Sequence, residues 1–260
     1  MLKSISTQIK KVFCRSDVKT SIAVFALIPV AIAFLISIES GIIQIGDSVF
    51  SAMGYASVII GLLKSLFLIG GIIALISTAV ISKEIDSGLD CSYFTRMKKQ
   101  EYLYVSKNIS MLCFVTLIFA FLLISSIVGW GIFLKDTEFG NSVFLSSDKD
   151  EAILLIFSIL SAYLEMIMMS ELFCFVSLLF KYSKAIIANL VIIVAIKLLS
   201  NIEALQRWVP SYIGDGTGLF EYSGNELISR GFEGISVLLV YTILFAIIGL
   251  ITYRKMDLVR

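Results

Sequence analysis

Two glutamates, Glu165 and Glu171, interrupt one of the most apolar stretches of the chain, residues 152–180. Ionised groups are costly inside a membrane, so such residues are candidates for contact with a transported species. At 3.6 residues per turn, Glu165, Met168, Met169 and Leu172 share one helical surface, and Glu171 follows about one and a half turns later. A carboxylate beside adaptable thioethers suits a path for a cationic amphipathic ligand. Glu165 could equally pair with Lys64 or a backbone group and fix helix packing. Lys64 and Lys197 are the cations within apolar runs, and both fall near segment ends, where a long side chain can snorkel to water.

Other chemistry is poorly provided for. Histidine is absent, which removes the commonest general base and metal ligand. No metal site and no catalytic residue is expected. Cys14, Cys91, Cys113 and Cys174 show no CxxC spacing, so free thiols are expected. No GxxxxGK[ST] occurs, and no Gly-Lys pair exists anywhere, so the chain has no P-loop for ATP. Gly214-Asp215-Gly216 reads as a turn. A net charge of +1 gives no bias toward nucleic acid.

The longest polar interruption is Ile81 to Lys107, with five basic residues and four acids. Ile85, Leu89, Tyr93 and Met97 recur every four residues and would form an apolar stripe on a helix. Glu84, Asp86 and Asp90 load its start with negative charge, as suits a helix N-terminus. A solvated connector between two membrane spans is the plainer reading of the same residues.

These segments sit in a chain that is 58% hydrophobic and 16% charged, unlike a soluble domain. The apolar runs imply an all-α polytopic membrane protein with six transmembrane helices: about 20–38, a second ending at 81, 108–134, 152–180, 185–200 and 235–253. The second begins either near Tyr55 or near Ser65, after a short surface helix. Residues 1–19 place Leu2, Ile5, Ile9, Val12 and Phe13 at helical spacing among lysines, as in a helix lying on membrane lipid. Pro29 is expected to bend the first span. Glycines 54, 70 and 71 read as helix-packing positions. Fifteen lysines and arginines fall on the side holding both termini and the 81–107 stretch, against four in the opposite loops, Lys135, Lys149, Arg207 and Arg230. That bias puts both termini in the cytoplasm. Isoleucine, lysine and serine usage suggests a bacterial plasma membrane.

Six spans, an interfacial N-terminal helix and a long loop after the second span resemble the permease subunits of ABC-2 type ABC transporters. That family carries an E-x3-G-T…P-x-S-R…K pattern there, in the helix that couples to the ATPase. Glu84 and Gly88 match the acid and the glycine, and Lys107 falls at the closing lysine. Leu89, Met97 and Gln100 depart from it, and Lys98 and Lys99 supply the charge. Tyr253-Arg-Lys-Met-Asp257-Leu258 looks like the family's ending, and 201–234 occupies the place of its re-entrant outer helices.

The resemblance implies one transmembrane domain over 1–260, with 82–107 as the coupling-helix loop. It implies ATPase coupling through Glu84, Gly88, Tyr93, Arg96, Lys98, Lys99 and Lys107. Charge reversal at Glu84 or Lys98/Lys99 should then uncouple hydrolysis from transport without unfolding the spans. It also implies a second permease subunit, identical or not, and a separate ATP-binding subunit carrying ATP and Mg. Export is the expected direction. An amphipathic or antimicrobial peptide is the expected cargo, with lipid, drug or ion open; Glu165, Met168, Met169, Glu171 and Lys64 are the path candidates. The rival class is a non-ABC membrane protein, such as a secondary transporter or an assembly factor.

Overall fold

The computed structural model describes residues 2–38, 49–90 and 101–256. Among them are helices α1 (Leu2–Cys14), α2 (Ser16–Ser37), α3 (Ala52–Ser65), α4 (Leu68–Asp86), α5 (Glu101–Gly129), α6 (Lys149–Leu179), α7 (Tyr182–Leu199), α8 (Pro210–Asp215) and α9 (Gly224–Lys255). The described residues contain no strand. Six helices are long and apolar enough to cross a membrane: α2, α4, α5 with its extension to Leu134, α6, α7 and α9. The chain is an all-α protein of the multi-pass membrane class.

α4 and α6 form the centre, with 61% of each apolar window buried, whereas α7 and α9 bury only 17% and 11% and face outward. Lipid tails are as apolar as leucine, so helix association here rests on close packing and interhelical hydrogen bonds. Both are visible. A side chain at Gly129 would meet Val30 Cα at 3.1 Å and Ala33 Cβ at 3.2 Å, so α5 and α2 touch nearly backbone to backbone. Asn189 of α7 donates to Thr78 of α4 at 2.9 Å and to Ser177 of α6 at 3.2 Å, tying three spans. Pro29 has no N–H for the Phe25 carbonyl one turn earlier. Ser125 of α5 donates to that carbonyl instead, at 3.4 Å, and Tyr55 donates to the Pro29 carbonyl at 2.5 Å.

Several boundaries move from those expected. The chain breaks at Arg15, so the first span starts at Ser16. α5 starts at Glu101 and α9 at Gly224, earlier than hydropathy places them; Leu103 and Tyr104 are buried near the start of α5, and Leu227 near the start of α9. The last turn of α5 widens into a π-turn at Trp130–Leu134. Residues 82–86 continue α4 and 101–107 belong to α5, which shortens the connection between them to 87–100. α1 does more than lie on lipid: Gln8 and Val12 are buried, and Ser4 meets Ser106 of α5.

The second span is two helices. α3 ends at Ser65, Phe67 takes a left-handed conformation at φ 59°, and α4 starts at Leu68. α3 is no surface helix, since Tyr55, Ala56, Ile59, Ile60 and Leu63 are all buried. Cys14, Cys113 and Cys174 are free thiols; Cys91 lies outside the described residues. Gly70 packs on Ile193, while the Cβ position of Gly71 is open.

Candidate functional site

Chemistry-bearing side chains gather in two networks. One lies at the proximal end, where α1 and the end of α9 meet; the other lies toward the opposite, distal end.

The proximal network forms around the foot of the polar stretch. α4 ends at Ser87, and Gly88 follows at φ +70°, a conformation that glycine adopts without penalty. The turn carries the chain to Asp90, which is fully buried. On the first turns of α5, Leu103, Tyr104, Lys107 and Met111 repeat at helical spacing and are buried on one face. Lys107 thereby reaches Asp90 at 2.7 and 2.8 Å and Glu84 at 3.2 Å. Lys11 of α1 pairs with the other Glu84 oxygen at 2.9 Å. Tyr253 of α9 donates to Asp90 at 3.1 Å and stacks on Tyr104, ring centroids 5.2 Å apart. Tyr104 fits because Gly249 offers no side chain there.

Two carboxylates, two lysines and Tyr253 thus join four helices, their charged atoms buried although the Lys11 side chain is about a third exposed. A buried pair holds only while both partners are present, and removing one strands a charge. Glu84, Gly88 and Lys107, the motif positions, meet at one turn. Their internal placement corrects the expectation that Glu84 can be reversed without harm to the spans. It also turns Lys11 inward, away from the membrane lipid on which the 1–19 helix is expected to lie with its lysines toward the headgroups. The Ile85–Leu89 stripe is cut by Gly88, and Leu89 is exposed. Tyr93, Arg96, Met97, Lys98 and Lys99 lie outside the described residues.

The distal network centres on Lys64. Its ammonium pairs with Glu165 of α6 and, at 2.8 Å, with Asp215 of α8. Asp215 pairs in turn with Lys197 of α7 at 2.6 Å. Burial opposes ionisation of Asp215, yet Lys64 and Lys197 hold its carboxyl below its ordinary value. Lys64 is therefore not a snorkelling anchor; its side chain is 9% exposed and engaged on both sides. Lys197, about a third exposed, keeps one side toward solvent. α8 approaches closely because a Cβ on Gly214 would overlap the Glu165 carboxylate. Gly216 caps α8 at φ +67° against Ser158.

Beside this network lies a small cleft of about 40 Å³, lined by Lys64, Phe67, Glu165, Met166, Met169 and Lys197 among others. Its thioethers are Met166 and Met169. Met168 is fully buried and does not line it, which corrects the expected Glu165–Met168–Met169 surface. The left-handed backbone at bulky Phe67, on the rim, costs about 1–2 kcal/mol that the surrounding packing must over-ride. Glu171 belongs to neither network; its carboxyl accepts from Asn108 of α5 at 2.7 Å.

Asp90 and Asp215 are the members to which the sequence assigns no role. Asp90 stands in the acidic cluster of the polar stretch, but Asp215 sits in a Gly-Asp-Gly turn that carries no signal for a lysine 151 residues earlier. Among the described residues no group of three or more Cys, Asp or Glu side chains could hold a metal. In comparison with known proteins, no family model matches the chain and no curated sequence does.

Proposed function

We propose that the chain is the permease subunit of an ATP-driven exporter of the ABC-2 type. It would pair with a second permease subunit in the bacterial plasma membrane and be driven by a separate ATP-binding subunit that holds ATP and Mg. One observation carries the reading: the acid, glycine and lysine of the post-span-two motif are parts of one buried buckle. Glu84 and Lys107 grip each other, and Gly88 makes the turn that brings Asp90 in. This gives the motif spacing a mechanical reason, since the buckle ties Asp90 and Lys107, which flank residues 91–100 in sequence, to each other and to the end of α4. A force on that segment would pass directly into two spans.

The cleft at Lys64 and Glu165 supports the cargo side of the proposal. A carboxylate, two thioethers and a rim lysine offer the chemistry to touch one side chain of an amphipathic or antimicrobial peptide, whereas a small hard ion would need an all-oxygen cage. Tagged chain solubilised from its native membrane should bring down an ATP-binding subunit. If it never does, the ABC-2 reading fails. ATPase stimulation of the reconstituted complex by candidate peptides, lipids or drugs then reads the cargo, and Glu165→Gln should abolish stimulation by a cationic peptide.

A further inference from the structure

Glu171 differs from every other buried acid described above. It is 3% exposed, its carboxyl accepts one hydrogen bond from Asn108 Nδ2 at 2.7 Å, and it has no part in the ion pairs among the described residues. The ionisable groups facing it are Tyr104 of α5 and Cys174 of its own helix, both uncharged side chains near neutrality. Lys107 of α5 is committed to Asp90 and Glu84. From α4 and α9, Glu84 and Tyr253 belong to the proximal network; from α3, α7 and α8, Lys64, Lys197 and Asp215 belong to the distal one. On the Asn108 amide, Oδ1 is buried and has no hydrogen-bond partner. An ionised Glu171 would be an uncompensated charge in the membrane interior, next to an acceptor that lacks a donor.

We propose that Glu171 is a proton-binding site, loaded at neutral pH while α5 and α6 are packed together. A proton on its second carboxyl oxygen supplies the donor that Asn108 Oδ1 lacks, and so closes an acid–amide pair whose other half is the Nδ2–H bond. If the two helices part, water reaches the carboxyl, the O–H proton passes to water, and the carboxylate is left hydrated. Any cycle that opens this seam releases a proton, whatever drives it; the inference does not depend on the ABC-2 reading.

Infrared spectroscopy of the full chain in lipid nanodiscs at pH 7 tests it, comparing wild type with Glu171→Gln and Glu165→Gln. A C=O band of a protonated carboxyl is expected in wild type, lost in Glu171→Gln and kept in Glu165→Gln. An exposed glutamate is fully ionised at that pH and gives no such band. Absence of the band from wild type, or its survival in Glu171→Gln, overturns the proposal. Glutamine mimics the neutral acid, so Glu171→Gln should melt with wild type at pH 7. As pH rises, wild type should lose stability relative to Glu171→Gln, because its buried carboxyl then has to ionise without a counter-charge. A Glu171→Gln protein unstable at pH 7 and rescued by Glu171→Asp would show that the charged form is required, and would equally overturn it.

Discussion

The two ion networks use the same parts, two lysines and two carboxylates, and put them to different ends. The proximal one is saturated: Lys107 meets Asp90 with both oxygens, Glu84 takes Lys11 on its other side, and Tyr253 closes the remaining face. The distal one is open on one flank. Lys11 and Lys197 are each about a third exposed, so the difference lies elsewhere: a cleft adjoins Glu165, and α8, which brings Asp215, is only six residues long. Sealed charges fix geometry, whereas charges beside a cleft can exchange one partner for another. The proximal network is therefore suited to holding, and the distal one to responding.

Breaking the sealed side should cost most. Lys107→Met strands Asp90 inside the bundle, leaves Glu84 to Lys11 alone, and is expected to lower stability by about 3–5 kcal/mol. Thermal unfolding followed by monodisperse peak height should show it; a melting point unchanged from wild type would mean that solvent reaches Asp90. Lys64→Met should cost less, about 2–3 kcal/mol, because Asp215 retains Lys197. A Lys64→Met/Glu165→Leu double variant should recover most of that loss, and failure to recover would assign the cost to packing. Gly88→Ala should cost about 1 kcal/mol in the same melts, all of it from the left-handed backbone, since the space around its Cβ position is open.

Acid separates the networks more finely. Asp215 is held below its ordinary value, so its share of stability is complete above the unfolded value and disappears as pH falls through the folded one. Melts of wild type and Asp215→Asn should differ at neutral pH and converge on acidification. A gap that stays constant would mean that the carboxylate is not the contributing form. The smallest effect belongs to Arg254, a largely exposed partner of Glu101 at 3.1 Å. Arg254→Ala should leave the melting point unchanged within error.

Much of the proximal network is legible in the sequence because its members lie in one polar island. Glu84, Gly88 and Lys107 stand within a stretch that hydropathy isolates, and the motif spacing joins them. Of the distal network only the Glu165–Lys64 pairing is legible, as one of two readings of Glu165; Lys197 and Asp215 are not, because the four residues come from four elements, the first and last 151 residues apart, and those two are each locally plausible as a span end or a turn. The split of the second span is legible only as an alternative, a span beginning near Ser65 after a short helix. Leu66 and Phe67 carry no breaker; an apolar run simply turns where α3 meets α5 and α6. Met168 is misplaced by the helical projection because a surface shared in projection still has to be divided between neighbours on either side.

One modest pair of hydrogen bonds joins the two ends. The Asp86 carboxylate at the end of α4 accepts from the Tyr182 backbone N–H at 2.7 Å, and Ser82 donates to the Phe180 carbonyl at 2.8 Å. Asp86 thus caps α7, whose 18 residues span about 27 Å before Lys197 meets Asp215. α7 behaves as a connecting rod, pinned to the foot of α4 at one bearing and to the distal lysine cluster at the other. A displacement of the foot of α4 would then have a short route, through those two hydrogen bonds and one helix, to the lysine that borders the cleft.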